Sequence, residues 1–283
     1  MPIVIEQLNY SYMAGTVMAT PALKDISLTI EEGSFFAIIG HTGSGKSTFM
    51  QQLNGLLLPT SGKVLVDGFD TSDKQQIKSA RARVGMVFQY PEYQLFEDTV
   101  LKDVAFGPKN LGMSEVEAEA AAREAMTMVG LDPERFAEKS PFELSGGEKR
   151  RAALAGIIAM KPKYLALDEP MAGLDPRGRR TTLDLLEKLR KDTGCAIIMV
   201  SHSMDDVARC AETVAVLDGG ALVMTGTPGE VFSHGPELRA MGLSLPQSAQ
   251  MAEELRARGI ALPEGIVTPE ALAAALKEVR VHG

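Results

Sequence analysis

The sequence has no run of lysines or arginines, only two cysteines and four histidines among 283 residues, and no apolar run long enough to cross a membrane. Each absence excludes something. Lysine and arginine number 29 against 37 aspartates and glutamates, a net charge of −8. Such a chain lacks the basic surface with which nucleic-acid binders neutralise phosphates, so nucleic acid is not an expected partner. Cys195 and Cys210 fit neither a CxxC nor a metal-binding spacing and are expected to be free thiols in a reducing compartment. The uncharged stretch 152–160 is flanked by Arg150, Arg151 and Lys161 and is about half of the roughly 20 residues a spanning helix needs. No signal-peptide cleavage pattern accompanies it. The chain is expected to be cytosolic in its own right, reaching a membrane only through a partner. Internal repeats, low-complexity tracts and heptads are also missing.

What is present suits one large globular domain with a small appendage. Residues 3–8 and 23–30 read as strands, and Ser34 to Gly40 (SFFAIIG) as a short buried strand ending at glycine. Residues 46–57 have helical character, and 64–66 and 84–88 are further strands. Residues 114–129 form a helix opened by Ser114 and Glu117 at capping-box spacing. A second helix at 145–160 follows a glycine pair. Residues 165–168 are a strand ending in acids, 178–191 a helix and 195–201 a buried strand. Residues 214–217 and 221–224 make a hairpin across Asp218-Gly219-Gly220. Strands alternating with helices predict a parallel α/β core with a mostly helical insertion over about 90–161. After Gly235 the texture changes to short helices interrupted by Pro246, Pro263 and Pro269, so the expected division is 1–235 and 236–283.

Gly40-His41-Thr42-Gly43-Ser44-Gly45-Lys46-Ser47 fits G-x-x-x-x-G-K-S in full, between a buried strand and a helix. Glycines let successive N–H groups curl inward, and the helix N-terminus adds positive potential. Lys46 supplies a charge for the β- and γ-phosphates of ATP. The Ser47 hydroxyl is placed for Mg²⁺, and Thr48 for a phosphate oxygen. Tyr164 to Pro170 (YLALDEP) is a strand emerging into two carboxylates. In a phosphate-loop protein the first, Asp168, holds Mg²⁺ and the second, Glu169, polarises the attacking water.

Upstream stands Leu144-Ser145-Gly146-Gly147-Glu148. With the phosphate loop, the acidic strand end, Ala172-Gly173-Leu174-Asp175 and His202 after a strand, it resembles the ABC-transporter ATPases over about residues 1–235. The resemblance implies a P-loop nucleotide-binding domain with an antiparallel N-terminal β region and a helical subdomain. It implies that Tyr12 stacks on adenine, although Tyr10 is a near competitor. Gln89 would link Mg²⁺ and water to the membrane partner. Ser145, Gly146, Gly147 and Glu148 would close over ATP held by another subunit. Glu169 would be the base, Asp175 would cross the dimer interface and His202 would touch the γ-phosphate. Two positions depart from the pattern: Glu148 stands where glutamine is usual, and Met171 where threonine or serine is usual. Neither removes a catalytic group.

A narrower likeness lies in 87–96 (VFQYPEYQLF), 103–112 (DVAFGPKNLG), Ser140-Pro141-Phe142-Glu143 and His41. These resemble the second ATPase subunit of energy-coupling factor importers, which take up vitamins and transition-metal ions. That implies a heterodimer with a homologous ATPase, a transmembrane scaffold with exchangeable substrate-binding subunits, and a location at the cytoplasmic face of the membrane. A homodimeric cobalt- or nickel-type importer ATPase and a non-transport ABC ATPase are the alternatives. A P-loop GTPase is disfavoured because no Asn-Lys-x-Asp reader is present.

Overall fold

The computed structural model describes residues 1–282. Two strands, β1 (Ile3–Tyr12) and β2 (Thr20–Ile30), pair antiparallel at the N-terminus. The buried strand β3 (Phe35–Ile39) leads through the glycine loop into α1 (Lys46–Leu53). Next come β4 (Ser61–Val66), β5 (Phe69–Asp70), α2 (Ile77–Arg81) and β6 (Val84–Val87). The helices α3 (Val100–Asn110), α4 (Glu115–Met128), α5 (Pro133–Phe136) and α6 (Gly146–Ile158) lie between β6 and β7 (Tyr164–Asp168). After α7 (Pro176–Thr193) come β8 (Ala196–Val200), α8 (Met204–Cys210) and the hairpin β9 (Thr213–Asp218) and β10 (Ala221–Gly226). The chain ends in α9 (Pro228–Ser233), α10 (Gly235–Ala240), α11 (Gln247–Ala257) and α12 (Pro269–His282).

Two sheets result, in the orders β2-β1-β4-β5 and β10-β9-β3-β8-β7-β6. The second is parallel throughout except for β10. Its central strand shows why the run SFFAIIG must be buried. Side chains alternate across a strand, so Phe36 and Ile38 face the N-terminal sheet while Phe35, Ala37 and Ile39 face the helices. Burying each large side chain contributes about 1.5–3 kcal/mol, before ordering costs. Leu238, Leu243, Leu245 and Ala249 extend the helix-side core. Ala252, Leu262, Ile266 and Ala275 make a separate small cluster near the C-terminus.

Several boundaries differ from the sequence reading. The first strand runs on to Tyr12, and α1 stops at Leu53, where Asn54 caps it instead of continuing to 57. The strand at 84–88 ends at Val87. The helix expected at 145–160 begins at Gly146, because Ser145 is its cap. The hairpin turn holds: Gly219 and Gly220 have φ of 52° and 85°, the left-handed pair a two-residue turn requires. Among the described residues, no helix is long and apolar enough to cross a membrane, and both cysteines are free.

Candidate active site

Sheet register gathers the site. In β7 and β8, Asp168 lies beside Val200, and in β3 and β8, Ile38 lies beside Val200. In β6 and β7, Val87 lies beside Leu167. The residues just past these partners are Glu169, His202, Gly40 and Gln89, all leaving the carboxyl edge of one parallel sheet. Open α/β sheets bind ligands at that edge.

An open cleft of about 800 Å³ lies there, with Lys46, Ser47, Gln89, Glu169, His202 and Tyr12 among its walls. The loop is closely fitted. Gly45 has φ of 99°, and a Cβ there would stand 2.8 Å from the Ala22 carbonyl oxygen and 2.9 Å from Leu23 Cδ2. Only glycine suits that position. Lys46 is buried, and its Nζ donates to the carbonyls of Gly40 and His41, each at 2.8 Å. Burial pushes the Lys46 pKa down, and the Glu169 and Asp168 carboxylates pull it back up. Burial pushes the Asp168 carboxyl up, opposed by a hydrogen bond from Ser47 and by the charge of Lys46.

Glu169 has φ of 51°, an uncommon conformation for a residue with a side chain. Its N–H is fixed on the Val200 carbonyl at 3.2 Å, and its own carbonyl accepts from Ala172 N at 3.1 Å. So held, its Oε1 lies 2.8 Å from His202 Nε2. At the other end of the cleft, Tyr12 OH lies 2.9 Å from Thr48 Oγ1. Tyr10 stands edge-on to Tyr12, with ring centroids 5.0 Å apart, and packs against the N-terminal core. The aromatic that faces the cleft is Tyr12.

Some expected residues sit elsewhere. His41 contributes its backbone to the loop, but its ring turns onto Asp218, with Nε2 to Oδ1 at 2.9 Å. Ser145, Gly146 and Gly147 are exposed, and neither they nor Glu148 line the cleft. Ser145 and Glu148 form a capping box at the start of α6. Asp175 caps α7, accepting from Gly178 N at 2.6 Å. Met171, where the resemblance leads to a hydroxyl residue, is buried in the helix-side core. The hairpin glycines Gly219 and Gly220 also line the cleft. Gly220 donates to Ser44 O at 3.2 Å and accepts from Lys24 N at 2.8 Å. The turn was legible from Asp-Gly-Gly; its place against the loop was not.

Strand order and site together define an ATP-binding cassette. The family described as "ABC transporter" matches residues 23–172. Energy-coupling factor transporter ATP-binding protein EcfA2 of Clostridium perfringens is 54% identical over 248 residues, 87% of each chain. The protein of that name from Streptococcus pyogenes is 50% identical over 286 residues and covers 100% of both chains. Among solved structures, cbiO1 from Clostridium perfringens, part of the ABC transporter complex cbiONQ, superposes with a TM-score of 0.74. It is 38% identical, over 89% of this chain and 98% of that one. The dimeric post-hydrolysis cassette MJ0796, bound to ADP and Pi, gives 0.70 at 30% identity, over 80% and 98%. The chain belongs to the ABC transporter family, among the ATP-binding proteins of energy-coupling factor transporters, and it is an ATPase.

Proposed function

We propose that this ATPase is the second of two homologous ATP-binding chains beneath a transmembrane scaffold, at the cytoplasmic face of the cell membrane. Its turnover energises uptake of vitamins or transition-metal ions, captured by exchangeable substrate-binding subunits. Residues 1–235 form the ATPase domain, with a helical subdomain at about 90–161, and 236–283 help pair the two chains.

The observation that carries this reading is the meeting of Glu169 and His202, 2.8 Å apart, at a cleft that also holds Lys46 and Ser47, with Asp168 hydrogen-bonded to Ser47. One carboxylate and one hydroxyl, with Gln89 across the cleft, suit Mg²⁺, a hard cation that keeps water and phosphate oxygens as its remaining ligands. Bound there, Mg²⁺ supplies charge neutralisation at the phosphates. Lys46 holds the β- and γ-phosphates, Tyr12 stacks on adenine, and Thr48 reaches a phosphate oxygen. Glu169 takes the proton of the attacking water, and His202 touches the γ-phosphate. Ser145 to Glu148, which do not line this cleft, close on ATP held by the other chain.

Glu169→Gln keeps the shape and loses the base. In the assembled ATPase pair, turnover should fall by roughly 10²–10⁴ while ATP still binds. Phosphate release near the wild-type rate would remove Glu169 from that role.

A further inference from the structure

We infer that Asp205 is a positioning residue for His202 and that it acts by capping a helix of the C-terminal region. The helix α11 begins after Pro246, whose side chain has no acceptor, and no side-chain cap from that position is present. Its first N–H, that of Gln247, donates instead to Asp205 Oδ1 at 2.8 Å. Asp205 lies in the first turn of α8, three residues beyond His202. The segment that carries the histidine therefore lends α11 its cap. A carboxylate is well suited to this, being both a strong acceptor and a negative charge at a helix N-terminus.

Packing joins the same two segments independently. Met204 and Val207 of α8 share one core with Leu243, Leu245 and Ala249. A second cavity, of about 390 Å³, has Glu169 and His202 in its walls together with Asp205, Ser244 and Leu245. The C-terminal region thus reaches to within one cavity of the reacting groups. The neighbouring Asp206 holds the same turn from the other side, through Arg179 of α7 at 3.0 Å. With both acids engaged, the turn after His202 is fixed between α7 and α11. With Asp205 gone the polar tie to α11 is lost and only packing and the Arg179 pair hold the turn, so the ring is less firmly kept on Glu169. Coupling of this kind is reciprocal: the His202 position that favours hydrolysis also favours a capped α11.

This inference rests on Glu169 and His202 acting at the γ-phosphate. The test is steady-state hydrolysis by the assembled ATPase pair. Asp205→Ala should lower kcat by about three- to tenfold, the change reached when the stability lost with one cap falls on the His202 position. KM for ATP should hold, since the phosphate loop is untouched. Asp205→Asn keeps a capping oxygen at the same reach and should restore most of the rate. Hydrogen exchange in the first turn of α11 should quicken in the alanine variant alone. Wild-type kcat in Asp205→Ala would overturn the inference. So would an equal loss in the alanine and asparagine variants, or unchanged exchange at α11. Glu169→Gln measured alongside separates the two readings, because wild-type turnover there sinks the base assignment whatever Asp205 does.

Discussion

Lys46 is buried in its own loop with its ammonium on two carbonyl oxygens, and burial opposes its charge. A triphosphate offers that ammonium ionised acceptors in place of neutral ones, and hydrogen bonds between ionised groups are about twice as strong. Lys46→Ala should therefore remove contacts worth on the order of 1.5–3 kcal/mol each. ATP affinity should drop at least tenfold, read by titration with a fluorescent analogue, while far-UV circular dichroism stays unchanged. Equal affinity would show that the loop does not bind through this lysine. Residues of this kind were legible in the sequence because their chemistry is local: a lysine in a glycine loop has few other uses. The His41 ring was not legible. Its partner Asp218 is far along the chain, and only the pairing of β9 with β3 brings the two together. The choice between Tyr10 and Tyr12 likewise depended on where β1 ends. A strand stopping at residue 8 would have left both tyrosines in a loop, whereas in the longer strand they are neighbours two residues apart, Tyr10 packing on the core and Tyr12, at the strand's end, reaching the cleft.

The capping box at the start of α6 explains the glutamate in the signature segment. The Glu148 carboxylate accepts from Ser145 N and from Ser145 Oγ, at 2.8 and 2.7 Å. A capping box accepts glutamate or glutamine at this position. Glu148→Gln should thus leave Tm and hydrolysis nearly unchanged. Glu148→Ala should cost about 0.5–1 kcal/mol, the low end for a lost cap because the site is open to water. The Ser145 hydroxyl and N–H hold the Glu148 carboxyl below its ordinary range. Its contribution is therefore complete above the ordinary carboxylate pKa and fades as pH falls through the lowered one. The glutamine variant should lack that fade, which thermal melts from pH 7 to pH 3 would reveal. Elements with a local signal were read correctly, as with the box at Ser114 and Glu117. By contrast the sequence gives α3 no bounds of its own within the expected helical insertion, and α8 is not expected from it at all. Pro108 interrupts the helical pattern of α3 near its end, and α8 spans only seven residues. Such helices owe their stability to packing against the rest of the molecule more than to their own propensity.

At the scale of the whole molecule, the helices between β6 and β7 leave aromatic rings in water beside the site. Tyr93 is 85% exposed and Phe96 57%. Tyr90 tilts toward Tyr93 with ring centroids 6.1 Å apart, and Phe96 meets Phe106 edge-on at 4.9 Å. Rings packed in pairs yet open to solvent form a patch, and patches of this kind mark partner surfaces. The patch begins one residue after Gln89, which lines the cleft, so a helix seated on it would sense movement at the ATP site. The sequence sets Tyr90, Tyr93 and Phe96 in one loop ahead of the helices, which points to exposed rings, and the structure leaves all three exposed. We expect this stretch to receive a helix of the membrane scaffold. Charge substitutions at Tyr93 and Phe96 (Tyr93→Glu with Phe96→Lys) should release the ATPase pair from the scaffold in detergent. Recovery of the complex should fall about tenfold or more, as losing two buried aromatic anchors predicts. ATP binding by the released pair should stay at the wild-type level, because neither ring touches the cleft. Full co-purification together with normal uptake in the double variant would place the docking surface elsewhere on the molecule.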